Sequence, residues 1–223
     1  MCGIVGVVSA APVNQLIYDA LLLLQHRGQD AAGIVTQQGR KFFMHKAKGM
    51  VRDVFRTRNM RALPGNMGIA HCRYPTAGSS SDSAESQPFY VNSPFGVVLA
   101  HNGNLTNSRE LRQELESRGS IFQTTTDSEV IAYLIVQERL KCGSIEAAVS
   151  AAMNRIEGAY SLVLMSAAKL LAARDPYGFR PLCYGKTLDG TYVVASESCA
   201  LSAVGAKFER DILPGEILVF DEN

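Results

Sequence analysis

The chain has 223 residues, of which 47% are hydrophobic and 19% are charged, an ordinary composition for a globular protein. Its 22 Lys and Arg residues against 21 Asp and Glu residues give a formal charge of +1. The basic residues are scattered and form no runs, which argues against the electrostatic footprint of a nucleic-acid-binding protein. We therefore expect one domain over residues 1–223 and no nucleic-acid partner.

Neither a targeting segment nor a disulfide framework is indicated. The apolar stretch at residues 2–12 has no basic lead and passes at once into polar Asn14, which excludes a signal peptide. The longest apolar run, residues 20–24, is far below the ~20 residues of a membrane span. The five cysteines form no C-x-x-C pair and have no zinc-type spacing. We expect a cytoplasmic protein with reduced thiols, no membrane contact and no bound metal.

Strand and helix patterns occur in separate blocks of the chain. Helical periodicity predicts a helix that starts at Thr126, because Thr126 and Glu129 have capping-box spacing. The other predicted helices cover residues 12–25, 107–117 and 144–156, and β-rich runs predict strands at residues 4–8, 33–36, 42–45, 96–100, 160–165 and 216–220. Strands dominate both ends, and a hairpin-like break at residues 187–190 joins late ones. This order favours an α+β protein with mostly antiparallel sheets over alternating parallel βαβ units.

Cys2 combines two reactive groups if the initiator methionine is removed. Cysteine is small enough as second residue for that removal, which would leave a free α-amine beside the thiol. An α-amine has a pKa of ~7.7 to 8.0 and can accept the thiol proton near neutral pH. Gly3 would leave room for a substrate against the strand. The alternative is an ordinary thiol beside a frayed terminus, and position alone favours that alternative.

Four polar, mostly glycine-bearing segments adjoin predicted strands or helices, where functional sites are commonly built. They are HRGQDAAG at 26–33, HCRYPTAG at 71–78, AHNGNL at 100–105 and TTTDSE at 124–129. Three of them contain residues with a plain structural alternative. Asp127 could cap the following helix, Arg73 could pair with a surface carboxylate, and Asn102-Gly103 could form a tight type I′ hairpin turn.

These segments, together with CGIVG at residues 2–6, resemble the class II glutamine amidotransferases, which are N-terminal nucleophile hydrolases. The resemblance continues through QPFY at 87–90, RDPYGFRPL at 174–182 and ASES at 195–198, and so covers essentially the whole chain. It implies a four-layer αββα sandwich of two mostly antiparallel sheets flanked by helices. HRGQDAAG and CRYPTAG are similar to members joined to a phosphoribosyltransferase domain, and differ from the YRGYDSAG and TRWATHG of glucosamine-6-phosphate synthase.

The resemblance implies three catalytic residues. Cys2 would be the nucleophile, with its own α-amine as base, and the Asn102 side chain and the Gly103 N–H would form the oxyanion hole. Because the family uses the α-amine as base, His26 and His101 are assigned structural hydrogen-bonding roles. The other four cysteines are expected to fill the core.

The resemblance also implies the contacts of a bound glutamine. Arg73 and Thr76 would bind the α-carboxylate, since a guanidinium can form two parallel hydrogen bonds that a lysine cannot. Asp127 would bind the α-ammonium, assisted by the Gly103 carbonyl. We place Arg27 among the substrate-binding residues as one that orders the pocket near Cys2 more than as a direct ligand.

The implied activity is hydrolysis of L-glutamine to glutamate and ammonia through a γ-glutamyl thioester. In the family, the ammonia passes to a phosphoribosyltransferase domain and gives phosphoribosylamine, the first committed product of de novo purine synthesis. No counterpart of that domain is found in this sequence, so we expect the glutaminase domain alone, from a full-length homo-oligomer. No cofactor is expected here, since Mg²⁺ and any iron–sulfur cluster would belong to the missing domain. If Met1 persists and blocks the amine, the alternative is a catalytically silent binding or assembly domain.

Overall fold

The structure is a computed structural model that describes residues 1–74, 83–92 and 94–221. Two β-sheets pack face to face, and helices cover their outer faces. The strands are β1 (Gly3–Val8), β2 (Ala31–Gln38), β3 (Lys41–Lys48), β4 (Met67–Arg73), β5 (Phe89–Val91), β6 (Val97–Leu105), β7 (Gly158–Met165), β8 (Lys169–Arg174), β9 (Cys183–Lys186), β10 (Tyr192–Ala195), β11 (Lys207–Asp211) and β12 (Ile217–Asp221). The helices are α1 (Asn14–Leu23), α2 (Val51–Val54), α3 (Thr57–Arg61), α4 (Ser108–Ser117), α5 (Asp127–Lys141), α6 (Ile145–Met153) and α7 (Ser198–Ala203).

The first sheet holds the N-terminal strand at its centre. Within the described ranges its order is β11-β9-β10-β1-β4-β2-β3, and every neighbouring pair is antiparallel. Side chains of β1 alternate between faces: Val5 and Val7 belong to the core under α1, whereas Ile4 and Val8 face the second sheet. Strand β1 is held by a partner strand on each side, and Cys2 immediately precedes it. The position of Cys2 is therefore constrained by the centre of the sheet.

The second sheet leaves part of one strand uncovered. Its order in the described chain is β12-β8-β7-β6-β5, again antiparallel throughout. Strand β5 pairs only with residues 97–99 of β6, whereas β7 pairs with residues 98–105. From Ala100 onward, β6 therefore has a described strand on one side only. Its other edge is available for side chains and ligands.

The four-layer order follows from three separate apolar clusters. One lies between the first sheet and α1, α2 and α7, one between the two sheets, and one between the second sheet and α4, α5 and α6. The longest described helix, α5, has 15 residues, and no helix in the described ranges is long and apolar enough to cross a membrane. The predicted α+β sandwich of mostly antiparallel sheets is confirmed.

Helix boundaries agree with the predictions where a local signal sets them. Helix α5 begins after Thr126, whose Oγ1 accepts a hydrogen bond from the Glu129 N–H at 3.4 Å. Helix α1 is shorter than the predicted range 12–25, because its N-cap is Val13 and residues 25–27 form a 3₁₀ turn. Helices α2, α3 and α7 were not predicted, since four to six residues are too few to show a periodic apolar face.

Candidate active site

A cavity of about 250 Å³ lies beside the free edge of β6. Its lining includes Cys2, Arg73, Gly103 and Asp127, so the structure brings four separately predicted residues to one pocket. The cavity is smaller than the usual range for drug-sized ligands and suits a small polar molecule. Asn102 lies next to Gly103 in β6 but is not among the lining residues, and Thr76, also predicted to contact the substrate, lies outside the described residues.

The Cys2 thiol is half-buried and is hydrogen-bonded to backbone only. The Tyr74 N–H donates to Sγ at 3.4 Å, and no histidine of the described chain is hydrogen-bonded to the sulfur. Burial raises the pKa of the Cys2 thiol, against the opposing effects of the Tyr74 N–H, the terminal ammonium and the charges of Arg73 and Arg27. A thiol with a raised pKa is mostly protonated at neutral pH and needs a base during attack. Removal of Met1 would turn the Cys2 nitrogen into an α-amine, a group that can act as such a base.

Asn102 contacts the Cys2 nitrogen and keeps a free donor. Its Oδ1 accepts a hydrogen bond from the Cys2 N–H at 3.1 Å, and its buried Nδ2 has no partner in the described part of the chain. Unpaired buried donors are rare and cost about 1–3 kcal/mol, so one beside the Cys2 thiol indicates a place for a ligand's acceptor. The turn alternative is wrong, because Asn102 lies within β6 and pairs with Ser161 of β7.

Gly103 directs its backbone toward the cavity. The N–H groups of His101 and Leu105 point away from β7, since they donate to Gln87 Oε1 at 2.7 Å and to Asp127 Oδ2 at 2.9 Å. In an extended strand, residues two apart direct their N–H and C=O groups to the same side. The Gly103 N–H and C=O therefore project from the free edge of β6 between those two bonds.

Contacts of strand β7 support this orientation of Gly103 and explain why residue 103 is glycine. Tyr160, paired with Gly103, directs its N–H toward the Asp175 carboxylate and its C=O toward the Asp175 N–H, both away from β6. A Cβ on Gly103 would lie 2.0 Å from the Ala159 carbonyl oxygen. Any side chain at this position would push β6 and β7 apart.

Arg73 lies at the end of β4 with its guanidinium held by two carboxylates. Nη1 donates to Asp30 at 2.9 Å and Nη2 to Glu85 at 2.5 Å, and all three side chains are largely buried. Arg73 thus pairs with carboxylates, as the structural alternative predicted, but these pairs are buried and do not lie on the surface. A guanidinium has five N–H donors, so the two bonds leave three for a further acceptor. Asp30 and Glu85 fix the direction in which that fork points.

Asp127 is the first residue of α5 but does not cap it, because Thr126 is the N-cap. One carboxylate oxygen accepts the Leu105 N–H, and the other lies 3.7 Å from His101 Nδ1. The helix N-terminus stabilises a negative charge at this position. A carboxylate has about four acceptor sites, so Asp127 can also accept from an ammonium group in the cavity.

The Arg27 side chain contacts the backbone of Cys2 and does not line the cavity. Its Nε donates to the Cys2 carbonyl at 2.8 Å, and Nη1 forms an ion pair with Glu197, which His26 also contacts. The side chain of Arg27 is almost completely buried. This is the geometry expected of a residue that orders Cys2 without touching the substrate.

The two buried histidines support the pocket in their neutral form. Burial lowers the pKa of His71 to about 3 and lowers the pKa of His101, for which Asp127 acts in the opposite direction. His101 Nδ1 is hydrogen-bonded to Ser128 Oγ at 2.9 Å, and His71 Nε2 to the His101 carbonyl at 3.1 Å. These contacts agree with the structural role predicted for His101.

Two smaller expectations were wrong. A Cβ on Gly3 would lie 2.6 Å from Cys72 Sγ and 2.9 Å from Leu24 Cβ, so the missing side chain accommodates the core and not a substrate. Two of the four other cysteines are buried, but Cys199 is exposed and Cys142 is partly exposed, because they lie on α7 and beyond the end of α5.

No candidate metal cluster appears among the described residues, and one larger cavity elsewhere lacks a thiol. The described residues contain no group of three or more His, Cys, Asp or Glu side chains that could hold a metal ion. A larger cavity of about 480 Å³ is lined by residues 37–40, 66, 167–169 and 221, which include no thiol, hydroxyl or imidazole. Sequence reasoning missed Asp30, Glu85 and Glu197, whose proximity to the site depends on contacts distant in sequence.

Comparison with known proteins gives consistent matches. A family model described as a glutamine amidotransferase domain matches residues 73–203. Amidophosphoribosyltransferase of Escherichia coli (strain K12) is 52% identical over 236 residues, which cover 100% of this chain and 46% of that protein. The protein of the same name from Methanocaldococcus jannaschii is 47% identical over 221 residues, covering 98% of this chain and 46% of the relative.

A solved structure extends the likeness to the fold. Glutamine phosphoribosylpyrophosphate amidotransferase from B. subtilis, complexed with ADP and GMP, matches with a TM-score of 0.91 at 38% identity, over 99% of this chain and 47% of that one. The chain spans about half the length of these relatives. The predicted sandwich of the N-terminal nucleophile type is confirmed by this match. Since the family model also spans more than half of the chain, the chain belongs to the glutamine amidotransferase domain family.

Proposed function

We propose that this chain hydrolyses the side-chain amide of glutamine, with Cys2 as nucleophile after removal of Met1. The observation that carries the proposal is the pair of contacts at Asn102, whose Oδ1 holds the Cys2 nitrogen while its Nδ2 has no described partner. Met1 itself is 52% exposed. Its removal turns the nitrogen that Asn102 holds into an α-amine next to the thiol.

The proposed reaction starts with proton transfer from the thiol to that amine, directly or through a water. The thiolate attacks the amide carbon, and the oxyanion accepts hydrogen bonds from Asn102 Nδ2 and the Gly103 N–H. The protonated amine gives its proton to the departing ammonia, which leaves a γ-glutamyl thioester on Cys2. A water molecule then hydrolyses the thioester to glutamate and restores the thiol.

Substrate recognition uses the two charged ends of glutamine. Arg73 binds the α-carboxylate with the donors that Asp30 and Glu85 leave free, and Thr76 supplements this contact. Asp127 binds the α-ammonium together with the Gly103 carbonyl. Free guanidinium donors on one wall and a carboxylate on the other favour a zwitterion over a simple amide.

In the full-length protein, we place the acceptor of the ammonia in a phosphoribosyltransferase domain that makes phosphoribosylamine. This is supported by the high identity to proteins named amidophosphoribosyltransferase over the whole chain, which spans about half of their length. Mg²⁺ and any iron–sulfur cluster belong to that second domain in this proposal. The full-length protein is a cytoplasmic homo-oligomer.

Intact-mass measurement combined with a glutaminase assay on the purified chain tests the proposal. We expect loss of Met1, release of glutamate, and labelling of Cys2 by a glutamine analogue with an electrophilic side chain. The exposed Cys199 is an internal control, since a small neutral alkylating agent should label it whereas the glutamine analogue should not. Retention of Met1 would favour the silent binding domain. A processed chain that neither hydrolyses glutamine nor reacts at Cys2 would contradict the proposal.

A further inference from the structure

The segment ASES at residues 195–198 contacts the N-terminal strand next to the nucleophile. Ser196 Oγ accepts a hydrogen bond from the Ile4 N–H at 3.0 Å, and the Ser196 N–H donates to the Ile4 carbonyl at 3.1 Å. The next residue, Glu197, lies at the N-terminus of α7 and extends to the side chain of Arg27. This segment therefore reaches both the backbone of β1 and the arginine that binds the Cys2 carbonyl.

Arg27 depends on Glu197 for its counter-charge. The Arg27 side chain is 5% exposed, its Nη2 is buried without a hydrogen-bond partner, and Glu197 is the carboxylate paired with it in the described chain. A buried guanidinium without a paired anion is unfavourable and moves toward solvent or toward other acceptors. Glu197 also accepts from the Cys199 thiol at 3.7 Å and contacts His26 at 3.1 Å, but both of these partners are exposed.

Cys2 is held by hydrogen bonds at its nitrogen, its sulfur and its carbonyl oxygen. Asn102 binds its nitrogen, the Tyr74 N–H binds its sulfur, and Arg27 Nε binds its carbonyl. The contact with Arg27 fixes the orientation of the Cys2 carbonyl. It therefore also fixes where the amine and the thiol of Cys2 lie relative to Asn102. Displacement of a reacting group by about 1 Å can lower a rate by about 10².

We propose that Glu197 is a positioning residue for the Cys2 nucleophile and acts through Arg27. This inference rests on the proposed glutaminase function and adds a residue that does not touch the substrate. The ion pair holds the guanidinium where Nε binds the Cys2 carbonyl. Loss of the Glu197 charge therefore lowers turnover without changing the groups that bind glutamine.

Glu197→Gln tests the proposal, because it removes the charge and keeps the size of the side chain. Glu114→Gln is the matched control: Glu114 is 34% exposed against 32% for Glu197, and it also has two basic partners, Arg118 and Arg155. We expect E197Q to lower kcat about 10-fold to 100-fold, with KM for glutamine within about twofold of wild type. E114Q should leave both parameters within about twofold. All rates are referred to the Met1-free fraction, measured by intact mass, and to the folded fraction, measured by circular dichroism.

A double-mutant cycle with Arg27→Gln shows whether Glu197 acts through Arg27. If it does, adding E197Q to the Arg27 variant lowers kcat no further, within about twofold. Glu197→Asp supplies a second variant that keeps the charge, and its kcat should lie between those of wild type and E197Q. An unchanged kcat in E197Q, or multiplicative losses in the double variant, would overturn the positioning role. Failure of the wild-type chain to hydrolyse glutamine would instead overturn the proposed function.

Discussion

Asn102 is the residue at which the oxyanion hole can be tested separately from the positioning of Cys2. Its Oδ1 accepts the Cys2 N–H, and its Nδ2 has no partner among the described residues. Asn102→Asp keeps an oxygen that can bind the Cys2 nitrogen but replaces the free donor by a second oxygen. Asn102→Ala removes both the anchor and the donor. Comparison of the two variants separates the two contributions.

The size of the expected effect follows from the contacts. Removal of one oxyanion-hole donor lowers kcat by about 10² to 10³, equivalent to ~2.7–4 kcal/mol of transition-state stabilisation. The hydrogen bond to the Cys2 nitrogen contributes only about 0.5–1.5 kcal/mol to folding. We therefore expect Asn102→Asp to lose at least 10² in kcat, with little change in KM, because the donor contacts a charge that develops only during attack. Asn102→Ala should show a similar loss of kcat and a larger loss of stability.

Steady-state glutamate release and thermal denaturation on the same preparations give the required pair of measurements. Ser161→Ala is the matched control, because Ser161 is fully buried and lies directly opposite Asn102 in β7. The substitution removes a hydroxyl that donates to the Arg180 and Pro181 carbonyls. It should lower Tm slightly and leave kcat within about twofold. An Asn102→Asp chain with a lowered Tm but normal kcat per folded molecule would refute the oxyanion role.

Three further substitutions and one pH titration test other parts of the site. Cys2→Ser should abolish glutamate release, since an alkoxide is much harder to generate than a thiolate beside the α-amine. Asp127→Asn should raise KM for glutamine, because an amide can still accept the Leu105 N–H but cannot pair with an ammonium. Arg73→Lys should also raise KM while a small neutral alkylating agent still reacts with Cys2, and an unchanged KM in both binding variants would show that the pocket is misplaced. For His71, whose pKa is about 3 when folded against ~6.5 when unfolded, the unfolded chain binds more protons between those values, so stability should fall as pH falls below ~6.5. Urea unfolding at several pH values should show a shallower acid dependence in His71→Gln, and an identical one would contradict this account.

Features with local sequence signals could be predicted from the chain alone. The start of α5 depends on Thr126 and Glu129, three residues apart, and its N-cap bond forms as expected. The hairpin at 187–190 depends on a local turn with Gly190 at φ 92°, and it joins β9 to β10 as expected. The position of Cys2 follows from an apolar strand that begins with the next residue. Each of these signals lies within a few residues of the feature that it predicts.

Features that depend on distant contacts could not be predicted in the same way. The dipeptide Asn102-Gly103 favours a turn locally, but pairing with β7 places it inside a strand. The charge balance around Arg73 depends on Asp30, 43 residues away, and on Glu85, 12 residues away. No periodicity or spacing in the sequence indicates such pairs. The resemblance to a family connected Asn102, Gly103 and Arg73 to one site before the structure did, but it did not indicate Asp30 or Glu85.

The free edge of β6 explains why the proposed oxyanion donors lie beside this cavity. A strand edge presents unpaired N–H and C=O groups, which proteins usually cover because such edges pair with other chains. Here β5 ends its pairing at residue 99, Gln87 takes the His101 N–H, and Asp127 takes the Leu105 N–H. Gly103, between them, keeps its N–H directed into the cavity. The backbone thus supplies a fixed donor whose position does not depend on a side-chain rotamer, next to the one amide donor that Asn102 adds.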